Sequence, residues 1–148
     1  MTHQVPSDSF SDAKPVIPRG VAHLALAGPV KTREFAFLTL PRFTLLAFSS
    51  AVDPLRIANQ LTQRPLYRWR VVSLDGAPTE SSAGIRVEAD QGLQPVGRDT
   101  TVIVCSGTDA THAADRKALT WLREHSRHGG SLGAICTGAY TLARAGLL

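Results

Sequence analysis

Cysteine is scarce in this sequence: its 148 residues include only Cys105 and Cys136. Two thiols build no disulfide framework, and neither sits in a zinc-ligand spacing, so the expected compartment is reducing and cytoplasmic. No apolar run approaches the roughly 20 residues that a membrane-spanning helix needs, which excludes a membrane partner of that kind. Clusters of lysine or arginine are missing too. The 16 basic residues are scattered among 12 acidic ones, and a net charge of +4 spread this way is weak support for a nucleic-acid partner. The five histidines are dispersed. His125 and His128 fall on one helix face, but no third ligand is close, so neither a metal nor a cofactor is expected. Internal repeats are absent. What remains has the length and composition of one globular domain with a core of its own.

Residues 1–31 read as an extended leader, broken by Pro6, Pro15, Pro18 and Pro29. Ala25-Leu26-Ala27 faintly resembles a signal-peptidase site. The apolar run before it is short, contains His23 and follows two aspartates, which argues against secretion. The folded domain is expected over residues 32–148. Glu34 to Leu40 reads as the first strand, and Thr44 is placed to cap a helix from Leu45 to Gln63. That helix carries Leu46, Ser50, Asp53, Ile57 and Leu61 at helical spacing, with Pro54 predicting a kink or a later start near Val52. Tyr67 to Leu74 is the second strand. Arg68 and Arg70 there are a solvated strand face or, less favoured, anion binders. Ser81 to Asp90 suggests a short hairpin or edge piece with Ile85 and Val87 inward, and Gln91 to Thr100 a loop. Thr101 to Cys105 is an uninterrupted β-branched run and the central strand. Asp115 can cap a helix from Arg116 to Arg127, with Leu119 and Leu122 on its core side and Trp121 beside them. Leu132 to Ile135 is a last strand, and Thr137 to Ala145 a helix stopped by Gly146.

This order describes an α/β fold with a mostly parallel sheet. Ligand sites in such sheets lie at the carboxyl ends of the strands, where the strand order reverses. Three loops then become neighbours: Pro41 to Thr44, Ser106 to His112, and the corner at Cys136. Cys136 sits between a strand and a helix with small residues on either side, in the form of a nucleophile elbow. A helix N-terminus there favours an anion or a thiolate. The backbone N–H groups of Thr137 and Gly107 are candidate donors to an oxyanion, and the loop around Phe43 completes a candidate pocket. The base is the missing part. His112 is the histidine expected at that end of the sheet and is a weak candidate, with Asp109 and Asp115 as weaker helpers. Cys136 can thus be a pocket wall, a reactive thiol or a small corner residue, in that order of preference. A redox disulfide between Cys105 and Cys136 is disfavoured, because neighbouring strand ends often have the wrong geometry.

The segments LTLPRFTLLAFSSAVDPLRIANQL, YRWRVVSLDGAPTESSAGIRV, VIVCSGTD and GAICTGAYTLARAGLL, in this order, closely resemble the sensor domain of GlxA-type regulators. These are transcription factors of the AraC/XylS group whose N-terminal half is similar to the PfpI/ThiJ branch of class I glutamine amidotransferases. The resemblance spans Phe35 to Leu148. It implies a flavodoxin-like three-layer sandwich, a pocket for a small-molecule effector over Cys136, a homodimer, and DNA binding through a C-terminal helix-turn-helix domain absent from this chain. Cys136 matches the superfamily nucleophile, and Gly107 and Thr137 its oxyanion donors. Active PfpI-like enzymes place a histidine directly after the cysteine, where this sequence has Thr137. Their glutamate aligns near Ala47, and Asp53, some residues on, belongs to the helix. The histidine and glutamate of full amidotransferase triads lie downstream of Leu148. The resemblance therefore implies a ligand sensor rather than an enzyme, with a cysteine-dependent hydrolase or glyoxalase-like activity as the alternative. It also implies that the sheet continues past Leu148, so the chain is expected to be a fragment.

Overall fold

The computed structural model describes residues 22–148. Of the leader, residues 1–21 lie outside the described residues. The rest of it runs against the end of the first helix: the Leu24 N–H donates to the Leu61 carbonyl at 2.8 Å, and Arg64 donates to the Gly28 carbonyl at 2.8 Å.

Four strands, β1 (Arg33–Thr39), β2 (Tyr67–Val72), β5 (Thr100–Cys105) and β6 (Leu132–Ile135), form one sheet in the order β2-β1-β5-β6. Every pairing in it is parallel. The chain leaves β1 toward β2 on one side and later returns to β5 on the other, so the strand order reverses between β1 and β5. A crevice opens at such a reversal, beyond the carboxyl ends of the strands.

Side chains alternate across this sheet with the period of two that a strand imposes. Ala36, Leu38, Val72, Val102 and Val104 face one side, where α2 (Arg116–Arg127) and α3 (Gly138–Ala145) cover them with Ala118, Leu119, Trp121, Leu122, Leu142 and Ala145. Phe35, Phe37, Trp69, Ile103, Cys105 and Ile135 face the other, under α1 (Leu45–Thr62). Helices on both faces make the three-layer, flavodoxin-like sandwich expected from the element order.

The covering face of α1 differs from the expected one. Leu46 and Ile57, taken from the sequence as part of its apolar stripe, are 76% and 42% exposed. The packed face is instead Leu45, Phe48, Ala51, Val52 and Leu55. Apolar residues lie nearly all round this helix, and the choice falls to the aromatic sheet face: Phe48 meets Phe37 and Phe43 edge-on, with ring centroids 5.8 and 5.6 Å away. Pro54 neither delays nor ends the helix, which runs unbroken for 18 residues. Its ring nitrogen cannot donate the helical hydrogen bond to the Ser50 carbonyl. Asn59, buried near the helix end, exchanges two hydrogen bonds with the Tyr67 backbone and so fixes α1 to the start of β2.

The hairpin consists of β3 (Thr79–Glu80) and β4 (Arg86–Val87), so its first strand lies just before the expected span. Val87 packs inward, as expected, against the cluster of Phe37, Phe43 and Cys105, but Ile85 is 53% exposed. Ile85 belongs to the turn, where its N–H donates to Ser81 Oγ at 3.2 Å. On β2, Arg68 faces Glu34 at 3.9 Å and Arg70 donates to Gln91 at 2.9 Å. Asp115 caps α2, accepting from the Ala118 N–H at 2.8 Å. His125 is buried, stacks on Trp121 and lies 3.0 Å from the Thr100 carbonyl, which is a packing role. Among the described residues, no group of three or more histidine, cysteine or acidic side chains could hold a metal.

Candidate functional site

β6 ends at Ile135, and the chain turns at Cys136 with φ 53, in the left-handed region that side chains other than glycine rarely occupy. Thr137 follows as the N-cap of α3, and Gly146, at φ 71, ends that helix as expected. The tight corner requires small neighbours. A Cβ on Gly138 would drive into the Val104 carbonyl oxygen and stand 3.0 Å from its carbon, so glycine alone lets α3 lie this close to β5. Cys136 is left exposed.

The three loops that the topology brings together do meet. Phe43 pairs with Gly107 in an antiparallel bridge, flanked by Thr44 N–H to Ser106 carbonyl at 3.3 Å and Thr108 N–H to Arg42 carbonyl at 3.4 Å. The approach is so close that a Cβ on Gly107 would collide with the Arg42 carbonyl and stand 3.0 Å from Phe43 C and Thr44 N. Thr137 Oγ1 donates to the Gly107 carbonyl at 2.7 Å and ties the corner to the β5 loop. Thr44 Oγ1 lies 3.3 Å from Cys136 Sγ and ties the β1 loop to the thiol. Thr44 thus corrects its expected role: it stands at the N-cap position of α1 but makes no side-chain cap.

In the pairing of Phe43 with Gly107, the flanking residues make the hydrogen bonds, and the Gly107 N–H takes no partner among the described residues. The Thr137 N–H likewise has none, at the positive end of α3. The Phe43 ring is wholly buried in the core under α1, which leaves only its backbone beside Gly107. His112 lies on the β5–α2 loop, but its polar partners are Asp109 Oδ1 at 3.2 Å and Thr111 Oγ1 at 3.0 Å. Among the described residues no hydrogen bond joins it to Cys136. Asp115 is committed to capping α2.

The two thiols are separate and free. Cys105 faces the core under α1, where burial pushes its thiol up to about 12 from 9.0. It is a small apolar residue at neutral pH. A cleft of about 530 Å³ lies away from the corner, between α2 and the Leu93 loop, lined by Leu74, Trp121 and Arg116 among others. Neither Cys136 nor Gly107 nor Thr137 lines it.

A parallel α/β sandwich with an exposed cysteine in a strained strand-to-helix corner is one protein class, and comparison with known proteins defines it further. Residues 37–148 match the DJ-1/PfpI family, and the chain belongs to that family. It is 45% identical over 116 residues to the HTH-type transcriptional regulator GbdR of Pseudomonas aeruginosa, covering 78% of this chain and 32% of that protein. It is 41% identical over 118 residues to the HTH-type transcriptional regulator GlxA of Rhizobium meliloti, covering 78% and 36%. The crystal structure of an AraC family transcriptional regulator from Pseudomonas putida superposes with a TM-score of 0.66 at 27% identity, over 78% of this chain and 62% of that one. The chain spans about a third of the length of the curated relatives it matches.

Proposed function

We infer that residues 32–148 form the ligand-sensing, non-catalytic domain of a cytoplasmic transcriptional regulator, with residues 1–31 as its leader. The observation that carries this reading is the wiring of Cys136. Its thiol meets the Thr44 hydroxyl, a poor proton acceptor at neutral pH, while the nearby histidine is turned to Asp109 and Thr111. A cysteine nucleophile needs a base within hydrogen-bond reach or through one water. The donors survive without that base: the Gly107 and Thr137 N–H groups can receive a ligand oxygen, and the Cys136 side chain forms the floor beneath it. This is a nucleophile elbow used for binding. The similarity to HTH-type regulators over this same segment supports the reading. In it, a homodimer responds to a small-molecule effector and reaches DNA through a helix-turn-helix domain outside this chain.

One observation favours an enzyme instead: Asp109 and His112 form an oriented pair on a loop at the same end of the sheet. In that reading a cysteine-dependent hydrolase or glyoxalase-like activity uses Cys136. Turnover of p-nitrophenyl acetate and of glyoxal by the wild-type chain, Cys136→Ser and His112→Ala separates the two. The sensor reading expects background rates in all three. Turnover that both substitutions abolish overturns it.

A further inference from the structure

Helix α2 opens against its own dipole. The first turn of a helix favours acidic side chains, because the free N–H groups there carry partial positive charge. Beyond the Asp115 cap, α2 has no acid in that turn and begins instead with Arg116 and Lys117. Both are exposed, and among the described residues neither side chain has a hydrogen bond or an ion pair. They stand on the rim of the cleft of about 530 Å³, whose apolar wall is Leu74, Leu93 and Trp121. Trp121 Nε1 already donates to the Gln94 carbonyl at 2.8 Å, so what the indole presents to the cleft is apolar carbon. Of the two acids in the lining, Asp75 accepts from the Ala77 N–H at 3.0 Å, and Glu124 stands two turns beyond Arg116 along α2. An apolar groove with two cations at one end and a carboxylate toward the other fits an extended peptide with acids around an aromatic residue and a base after them.

Residues 1–31 contain such a segment. Phe10 is their only Phe, Tyr or Trp, Asp8 and Asp12 are their only acids, and Lys14 comes next among their charged residues. The described part of the leader is held beside the start of β2: the Leu24 N–H donates to the Leu61 carbonyl at 2.8 Å, and the Arg33 N–H to the Leu66 carbonyl at 2.9 Å. Leu74, in the cleft, follows the end of the same strand and lies at most about 28 Å from Leu66. The stretch from Leu24 back to Asp12 can span about 40 Å, which covers that distance. Direction agrees as well. α2 returns toward the strand starts, with His125 lying 3.0 Å from the Thr100 carbonyl, so Glu124 is nearer than Arg116 to the point where the leader is held. Lys14 is likewise nearer to Leu24 along the chain than either aspartate.

We propose that the cleft beside α2 is the docking groove of this chain's own leader: Phe10 fills it, Asp8 and Asp12 meet Arg116 and Lys117, and Lys14 meets Glu124. Exposed ion pairs contribute little singly, so burial of the Phe10 ring supplies most of the attraction and the charges set the register. A tether of this length gives the segment an effective concentration on the order of millimolar, so a contact too weak to form between separate molecules forms within one.

Paramagnetic broadening in the full ¹⁵N-labelled chain locates the segment. A nitroxide is attached through Ser11→Cys in a Cys136→Ser background, where Cys105 is buried and stays unlabelled. The label is expected to cause loss of the Arg116, Thr120 and Leu93 amide signals. It should broaden the Trp121 indole far more than the Trp69 indole, which lies on the opposite sheet face among the residues under α1. Asp8→Lys with Asp12→Lys should abolish this pattern, and adding Arg116→Glu with Lys117→Glu should restore it. Phe10→Ala should abolish it with every charge in place. Equal broadening of the two indoles, loss of signals elsewhere on the surface, no loss at all, or a pattern that survives either the charge reversal or Phe10→Ala overturns the proposal. Broadening that arises only when a labelled ¹⁴N chain is mixed with an unlabelled ¹⁵N chain also overturns it, because the occupant is then a second copy.

Discussion

Replacing Gly138 by alanine sets two effects of opposite sign against each other. In an exposed helix the change stabilises by about 1 kcal/mol, because glycine loses more backbone freedom on folding. At this position the new Cβ overlaps the Val104 carbonyl oxygen and sits 3.3 Å from the Ala134 Cβ. Neither neighbour can yield easily. Val104 and Ala134 are cross-strand partners in the β5–β6 ladder, so moving either one stretches the sheet. The remaining escape is for α3 to lift, which loosens Leu142 and Ala145 in the core. Overpacking of this kind costs about 1–3 kcal/mol and sometimes more. It outweighs the propensity gain, and we expect a net loss of about 1–2 kcal/mol, a sizeable part of the ~5–15 kcal/mol that holds a domain together. Urea unfolding followed by circular dichroism measures it as a lower midpoint at unchanged slope. The reverse change at an exposed position of the same helix, Ala143→Gly, should cost about 1 kcal/mol by propensity alone and calibrates the scale. A Gly138→Ala chain as stable as wild type, or more stable, would refute the close-approach argument and with it the reason for glycine after the corner.

Thiol counting should find one reactive cysteine in the native chain at pH 8, Cys136, and two in urea, because burial keeps Cys105 protonated. The folded-state pKa of Cys105 lies above its unfolded value. The stability that this implies is complete below about pH 9 and is lost as pH rises toward about 12, so Cys105→Ala should flatten the pH dependence of stability in that alkaline window. Asp115→Ala removes the hydrogen bond to the Ala118 N–H and should cost about 1 kcal/mol in urea unfolding, with Asp115→Asn retaining most of it. Thr44→Val should leave stability within about 0.5 kcal/mol of wild type, since no cap is lost. It should change the rate of Cys136 alkylation by iodoacetamide, since the hydroxyl beside the sulfur is gone.

What could be read from the sequence was set by neighbours along the chain. The β-branched run to Cys105, the Asp115 cap and the stop at Gly146 all arise within a few residues, where steric limits and capping bonds act regardless of what packs outside. Element order then implied a parallel sheet with its site at the strand ends, and the family-like motifs placed Cys136, Gly107 and Thr137 around that site. Where competing local solutions were nearly equal, tertiary structure decided. α1 is apolar on more than one side, and the aromatic sheet face chose Phe48 over Leu46. The Thr44 hydroxyl could serve the helix or the thiol, and the packing of the corner turned it to Cys136. Ile85 is as apolar as a core residue, but the hairpin turn holds it outside. The left-handed backbone of Arg42, at φ 62, was invisible beforehand because arginine has no preference for it. It follows from Gly107 lying so close to Arg42 and Phe43, a contact between loops more than sixty residues apart that no local pattern encodes.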